Sequence, residues 1–147
     1  MSIFLKKASL RLFPLAYMAI IWYQSGHFRT EAAAELPLFA LVPLGLLFEA
    51  GHLFQFGILY AALVAAFVTF GPLTKRKERA ALSISLLYAA LDETHQYFVP
   101  FRTASWGDMA KDTFGIMACW AGLRLAYASQ TSRIGRWLRR LEAMSDR

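Results

Sequence analysis

The chain has 147 residues, enough for one domain. Hydrophobic residues make up 57% of it and its mean hydropathy is +0.38, which is too apolar for a soluble domain of this size. The net charge of +6 does not indicate nucleic-acid binding, because the basic residues crowd beside apolar segments. Cys119 is the single cysteine, which excludes an internal disulfide. The composition is typical of a helical membrane protein.

Four apolar segments are long enough for membrane-spanning helices, since about 20 apolar residues cross about 30 Å of hydrocarbon. They are residues 10–24, 52–71, 80–99 and 108–127. We expect the first to be an uncleaved helix, because the small residues at 32–34 lie too far beyond it for a signal-peptidase site. The sequence predicts an all-α, polytopic membrane protein, with about four transmembrane helices forming one domain over residues 1–147.

A fifth apolar stretch, residues 36–48, is too short for a membrane span and is interrupted by Pro37, Pro43 and Gly45. A span here would leave only residues 49–51 to reverse the chain before the next helix. We therefore predict a re-entrant or interfacial segment on the outer side of the membrane.

The basic residues predict the orientation. Two precede the first predicted helix and Arg11 lies in its first turn, four lie between the second and third, and five follow the fourth, so that these twelve share one side. The other side carries Arg29, Arg102 and Lys111. By the positive-inside rule, the N- and C-termini are predicted to be cytoplasmic.

The tail, residues 128–147, has its own pattern. Ile134, Trp137, Leu138 and Leu141 recur at helical spacing, with arginines on the opposite face. This predicts a basic amphipathic helix on the anionic inner leaflet. A solvated tail that only anchors the topology is the alternative.

The third predicted helix carries the main functional signal. Asp92 lies about 18 Å from the cytoplasmic boundary at 1.5 Å per residue, well inside the hydrocarbon. A carboxylate at such depth costs about 2.5–3.5 kcal/mol and normally faces a bundle interior or a wet cavity. Ser85, Tyr88, Asp92 and His95 recur on one helical face, so this polar stripe is predicted to face other helices.

The fourth predicted helix has a matching face, on which small residues follow acids and would permit close helix packing. The face consists of Asp108, Asp112, Gly115, Cys119 and Gly122. Ser105 followed by Asp108 is a capping-box pattern. That pattern favours a structural role for Ser105 over a nucleophilic one.

Three helix ends are predicted to bring polar groups to one level of the membrane. The second helix begins with Glu49, His52 and Gln55, and the loop before the fourth contains Arg102, which could clamp a carboxylate or a phosphate. A structural ion-pair network is the alternative to a working site. The candidates for catalysis are Asp92, Glu93, His95, Arg102 and Asp112, and those for binding are His52, Gln96, Ser105, Asp108 and Tyr88.

The candidate residues form a long motif. Residues 92–105 read D-E-T-H-Q-Y-F-V-P-F-R-T-A-S, with Asp108, Asp112 and Gly115 following, and residues 52–57 read H-L-F-Q-F-G. Over about residues 10–125 the chain resembles the VanZ-like membrane proteins, many of which carry Gly at the position of Phe101 and Asn at that of Asp112. The resemblance implies a bacterial cytoplasmic-membrane protein of a family named for an accessory factor in teicoplanin resistance.

Three functions are compatible with this pattern. One is an envelope protein that binds a lipid head group or lipid-linked wall precursor in an outer pocket, with Arg102 on phosphate and Tyr88 and Tyr97 lining the pocket. Another is an intramembrane enzyme that uses Asp92, Glu93 and His95 as acid or base. The third is an ion or proton pathway, which would require an oligomer. No cofactor is predicted, and no spaced motif such as H-E-x-x-H supports a zinc site at His52 and His95.

Overall fold

The computed structural model describes the backbone of residues 3–27, 38–100 and 105–145, and their side chains except those of His27, residues 38–49 and His52. These ranges contain five helices and no strand. The all-α prediction is therefore confirmed. The helices are α1 (Ile3–His27), α2 (Leu38–Val68), α3 (Lys75–Phe98), α4 (Trp106–Ala128) and α5 (Arg133–Glu142).

Local sequence sets where the helices begin and end. The side-chain oxygens of Thr74, Ser105 and Ser132 accept backbone N–H groups from the first turns of α3, α4 and α5, at 3.0–3.3 Å. Such caps satisfy amides that have no partner inside the helix. The turn after α2 contains Gly71 with φ of 109°, a conformation that favours glycine.

The predicted break before His52 is wrong. Residues 38–48 are the first turns of α2, which runs without interruption for 31 residues, about 46 Å. Pro43 lacks an amide hydrogen and costs the helix one hydrogen bond, but the leucine-rich stretch around it has a high helix propensity. His52 therefore lies inside a long helix and not at the start of one.

The other long helices lie over the segments predicted from apolarity. Residues 10–24 belong to the longer α1, residues 80–98 to α3, and residues 108–127 to α4. Within the described ranges, none of the helices combines enough length with enough apolarity to cross a membrane.

Helix α2 lies at the centre of the bundle and packs against α1, α3 and α4. Phe56, Leu59 and Val64 have no exposed surface, and Ile116 of α4 packs in the same core. A helix with neighbours on several sides must be apolar around most of its circumference. This explains why the α2 sequence is the most uniformly hydrophobic in the chain.

Two glycines let α2 and α4 approach closely. A Cβ atom at Gly115 would overlap the backbone carbonyl of Leu53, and one at Gly57 would lie 2.9 Å from the carbonyl oxygen of Gly115. The prediction that Gly122 also packs in this contact is wrong, because Gly122 is exposed and a Cβ there would meet nothing within 4 Å. Helices that cross at an angle are close only near the crossing point.

Successive long helices run in alternating directions, which gives the bundle two chemically different ends. Arg11 near the start of α1 donates from Nε to Thr69 Oγ1 at 2.9 Å, just after α2. The amide of Leu73 donates to the hydroxyl of Tyr127, near the end of α4, at 3.4 Å. We call this the basic end, and the opposite end, which contains Asp92 and Glu93, the acidic end.

Helix α5 folds back onto the basic end. Leu138 and Leu141 are buried against the bundle, while Ile134 and Trp137 stay exposed. Arg139 donates from Nη1 to the Tyr127 carbonyl at 2.7 Å and so ties α5 to α4. Half of the apolar face predicted for the tail thus packs against the bundle, and the other half is exposed.

Candidate functional site

The polar stripe of α3 faces the other helices. Ser85, Tyr88 and Asp92 are buried, and the Tyr88 hydroxyl donates to the Met18 carbonyl of α1 at 2.6 Å. Tyr88 therefore connects α3 to α1.

Asp92 is the most deeply buried group of this stripe that can carry a charge, with 1% of its surface exposed. Its Oδ2 accepts a hydrogen bond from Gln96 Nε2 at 2.9 Å, one turn further along α3. Its Oδ1 and the Ser85 hydroxyl have no hydrogen-bond partner within the described part of the chain. Buried polar atoms are nearly always satisfied, so this site retains capacity to bind a donor.

Glu93 joins α3 to the start of α4. Its Oε2 accepts the backbone N–H of Ser105 at 3.1 Å, while the Ser105 hydroxyl caps α4. In a capping box the acid of the same helix would accept that N–H. Here Asp108 forms an ion pair with Lys111 at 2.8 Å, and the preceding helix supplies the acid. The role of Ser105 in this geometry is structural.

His95 packs against α1. Its ring stacks on Trp22 with the ring centroids 3.9 Å apart, and its Nδ1 lies 3.2 Å from the Ser25 hydroxyl. A Cβ atom at Gly26 would lie 3.1 Å from the imidazole, so that glycine leaves room for the ring. Sequence reasoning missed this contribution of α1. The spacing of Trp22, Ser25 and Gly26 on one helical face was the available signal.

Asp112 is fully buried in α4, less than one turn before the close contact of Gly115 with Leu53 of α2. Asp92, Glu93 and Asp112 are thus three buried carboxylates on two neighbouring helices. The described side chains include no group of three or more His, Cys, Asp or Glu arranged to hold a metal ion.

Two predicted site residues lie outside the description. Arg102 falls in the undescribed segment 101–104, and for His52 only the backbone position in α2 is described. The sequence places Arg102 three residues before Ser105, on the connection that Glu93 closes. The structure thus brings Asp92, Glu93, Gln96 and Ser105 to one end of the bundle, where His95 joins α1.

An open groove of about 590 Å³ lies between α3 and α4, and we call it the α3–α4 groove. Its walls are mainly apolar, with Tyr97 73% and Trp106 91% exposed. Glu93 also lines it and is the one acidic residue of the described chain that does so. Trp106 and Met109 were missed by sequence reasoning, although the aromatic residues on both sides of the loop were a usable signal.

Fold and site together define a class: a helical bundle with buried carboxylates, one of which, Glu93, lines an open, amphipathic groove. The chain belongs to the VanZ/LLP1 family, whose model matches residues 3–127. The match covers α1 to α4 and stops before α5. No curated protein and no solved structure is significantly similar to the chain.

Proposed function

We propose that the chain is embedded in the bacterial cytoplasmic membrane with both termini in the cytoplasm. In this proposal α1 to α4 cross the membrane together as a packed bundle, although within the described ranges none of them taken alone is long and apolar enough for a span. Large apolar side chains are exposed on all four long helices, including Leu15, Ile58, Leu87 and Leu125, whereas Asp92 is buried. Apolar groups outside and carboxylates inside suit a protein surrounded by lipid. The basic end would face the cytoplasm under the positive-inside rule.

Labelling in intact cells tests this orientation. In a Cys119→Ala background, Thr103→Cys should react with a membrane-impermeant thiol reagent and Glu78→Cys should not. Glu78 lies in the first turn of α3, at the basic end. Labelling of residue 78 from outside, or labelling of residue 103 only after permeabilisation, would contradict the proposed topology.

We further propose that the α3–α4 groove binds a lipid-linked molecule with a polar head group. The observation that carries this proposal is the position of Glu93, which lies between the buried polar stripe and a groove with exposed aromatic walls. A chain of methylenes would pack on Tyr97 and Trp106. The head group would then meet the carboxylate at the base of the groove.

The polar groups favour a particular chemistry for the head group. A carboxylate such as Glu93 accepts hydrogen bonds, so it suits hydroxyl, amide or ammonium donors. Arg102, close by in sequence, is suited to a phosphate, which it can bind in a fork. Phosphate together with sugar hydroxyls and amides is the chemistry of a lipid-linked wall precursor, which we propose as the ligand class.

This proposal extends to antibiotic susceptibility through the family. Binding a lipid-linked precursor at the outer surface would alter how a lipid-anchored glycopeptide such as teicoplanin reaches its target. We therefore propose that the chain contributes to reduced teicoplanin susceptibility when it is expressed.

Native mass spectrometry of the purified full chain tests ligand binding. Wild type should retain a lipid-linked precursor, Tyr97→Ala should lose most of it, and Tyr23→Ala should retain it. Tyr23 is a matched control because it is similarly exposed, on α1. Equal retention by all three proteins would refute binding in the groove. Conversion of the added precursor would instead identify the enzymatic alternative.

A further inference from the structure

A second groove, of about 530 Å³, lies at the basic end between the first turns of α1 and helix α5, and we call it the α1–α5 groove. Two exposed cations from different helices line it, Lys6 of α1 and Arg140 of α5. The proposed function does not account for it, and the α5 wall lies beyond the family's matched region, which stops at residue 127.

The two cations make no polar interaction within the described structure. Arg136 and Arg139 of α5 donate hydrogen bonds to backbone carbonyls, and Arg11 donates to Thr69. Among the described residues, Lys6 and Arg140 have neither a hydrogen bond nor an ion pair. Glu142, the acid nearest in sequence to Arg140, accepts a hydrogen bond from Tyr127 at 2.6 Å and is therefore engaged with α4. The α1–α5 groove thus presents uncompensated positive charge.

The apolar wall continues from the cations along α1. Leu10 and Phe13 follow Lys6 in the lining, and Phe13 lies about 10 Å further along the helix at 1.5 Å per residue. Phe13 is 50% exposed, and Trp137 of α5, on the opposite wall, is 47% exposed. A tryptophan beside cations is typical of the membrane interface, where its ring can cover an acyl chain. The charged end of the groove thus matches the phosphate of a phospholipid, and the apolar surface next to it matches an acyl chain.

We propose that the α1–α5 groove is a binding site for one anionic phospholipid of the inner leaflet. Its phosphate lies between Lys6 and Arg140, and an acyl chain runs over Leu10 and Phe13 towards the bundle centre. Arginine and lysine are the usual partners of phosphate. Helices α1 and α5 both pack against α2, so the backbones that carry Lys6 and Arg140 are held at a fixed separation. Binding would also stabilise α5 in its docked position, because the lipid contacts both helices.

The proposal can be tested with full-length protein in nanodiscs. Phosphatidylglycerol should bind at least tenfold more tightly than phosphatidylcholine in native mass spectrometry, and Lys6→Gln combined with Arg140→Gln should remove about tenfold of that preference. The matched control is Lys7→Gln with Arg133→Gln, which removes the same charge from the same two helices but outside the lining. The control should keep most of the preference.

Equal losses in the two double variants would overturn the proposal, because they would show diffuse attraction to the leaflet. A wild type without preference for phosphatidylglycerol would overturn it as well. The inference rests on the proposed membrane placement, which extraction of cell membranes with carbonate tests separately. Tyr97→Ala should keep its phosphatidylglycerol preference, so failure of the α3–α4 groove and failure of this site are distinguishable.

Discussion

At the basic end of the bundle, polar side chains connect segments that are far apart in the sequence. Arg11 donates to Thr69, and the Tyr127 hydroxyl accepts from Leu73 and donates to Glu142. At the acidic end, Asp92 accepts a hydrogen bond from Gln96 of its own helix, and its second oxygen has no hydrogen-bond partner in the described part of the chain.

This difference distinguishes polar groups that stabilise the fold from polar groups that do not. Hydrogen bonds between segments offset the desolvation of Arg11 and Tyr127 and hold the helix ends together. Burial of Asp92 costs free energy without a comparable tertiary contact among the described residues. A costly group that does not stabilise the fold is a candidate for function.

Lys77 follows the pattern of the basic end. It donates from Nζ to the Gly71 carbonyl at 2.8 Å, and thereby supports the turn between α2 and α3. Burial lowers the pKa of its ammonium group, and the nearby Glu142 carboxylate opposes that shift. The Glu142 carboxylate thus favours the charged form of the Lys77 ammonium group.

The largest effect is expected from packing. Gly115→Leu would force a side chain into the Leu53 carbonyl and separate α2 from α4, which should cost about 3 kcal/mol and reduce folded protein in detergent. Gly122→Leu is the control and should be tolerated. Size-exclusion profiles and thermal unfolding measure both. Equal loss at the two positions would place the α2–α4 contact elsewhere.

Removing a connection at the basic end should cost less. Tyr127→Phe leaves Glu142 and the Leu73 amide without their partner, which should destabilise the protein by about 1–3 kcal/mol. Tyr97→Phe is the matched control, because no hydrogen bond of its hydroxyl is found in the described residues. Denaturation of both variants in the same detergent gives the comparison. Equal stability of the two variants would show that the hydrogen bonds of Tyr127 do not stabilise the basic end.

A weaker coupling is expected between His95 and α1. His95→Phe should keep the stacking on Trp22 but lose the contact with Ser25, and Ser25→Ala should lose the same contact. In a double-mutant cycle the coupling should be about 0.5–1.5 kcal/mol. Additive losses would show that stacking alone positions the imidazole.

The smallest effect on stability is expected at Asp92. Asp92→Asn keeps an acceptor for Gln96 and removes a charge, so the free energy of unfolding should change by less than about 1 kcal/mol. Teicoplanin susceptibility and retention of the lipid-linked precursor should nevertheless change as if the gene were absent. Glu142→Gln is the control at the basic end, and it should show the reverse result: a lower free energy of unfolding with function retained. If Asp92→Asn lost function only in proportion to lost protein, the acidic end would be structural too.

Much of the fold follows from local sequence. The apolar segments, the caps at Thr74, Ser105 and Ser132 and the polar stripe of α3 can all be read within a few residues of where they act. Helical hydrogen bonds and side-chain faces repeat over three to four residues, so a short window contains the required information. The motif over residues 92–105 likewise identified the family without tertiary structure.

Contacts between helices depended on the tertiary structure. The acid that accepts the Ser105 amide is Glu93 and not Asp108, His95 packs on Trp22, and Gly122 is exposed although it shares a face with Gly115. Each outcome depends on where two helix axes cross and how far they diverge. Periodicity shows which side chains share a face, but the crossing geometry decides which of them meet a neighbour. The sequence alone therefore determined the helices and their polar faces, and the packing of α1 to α5 decided which of those faces became grooves.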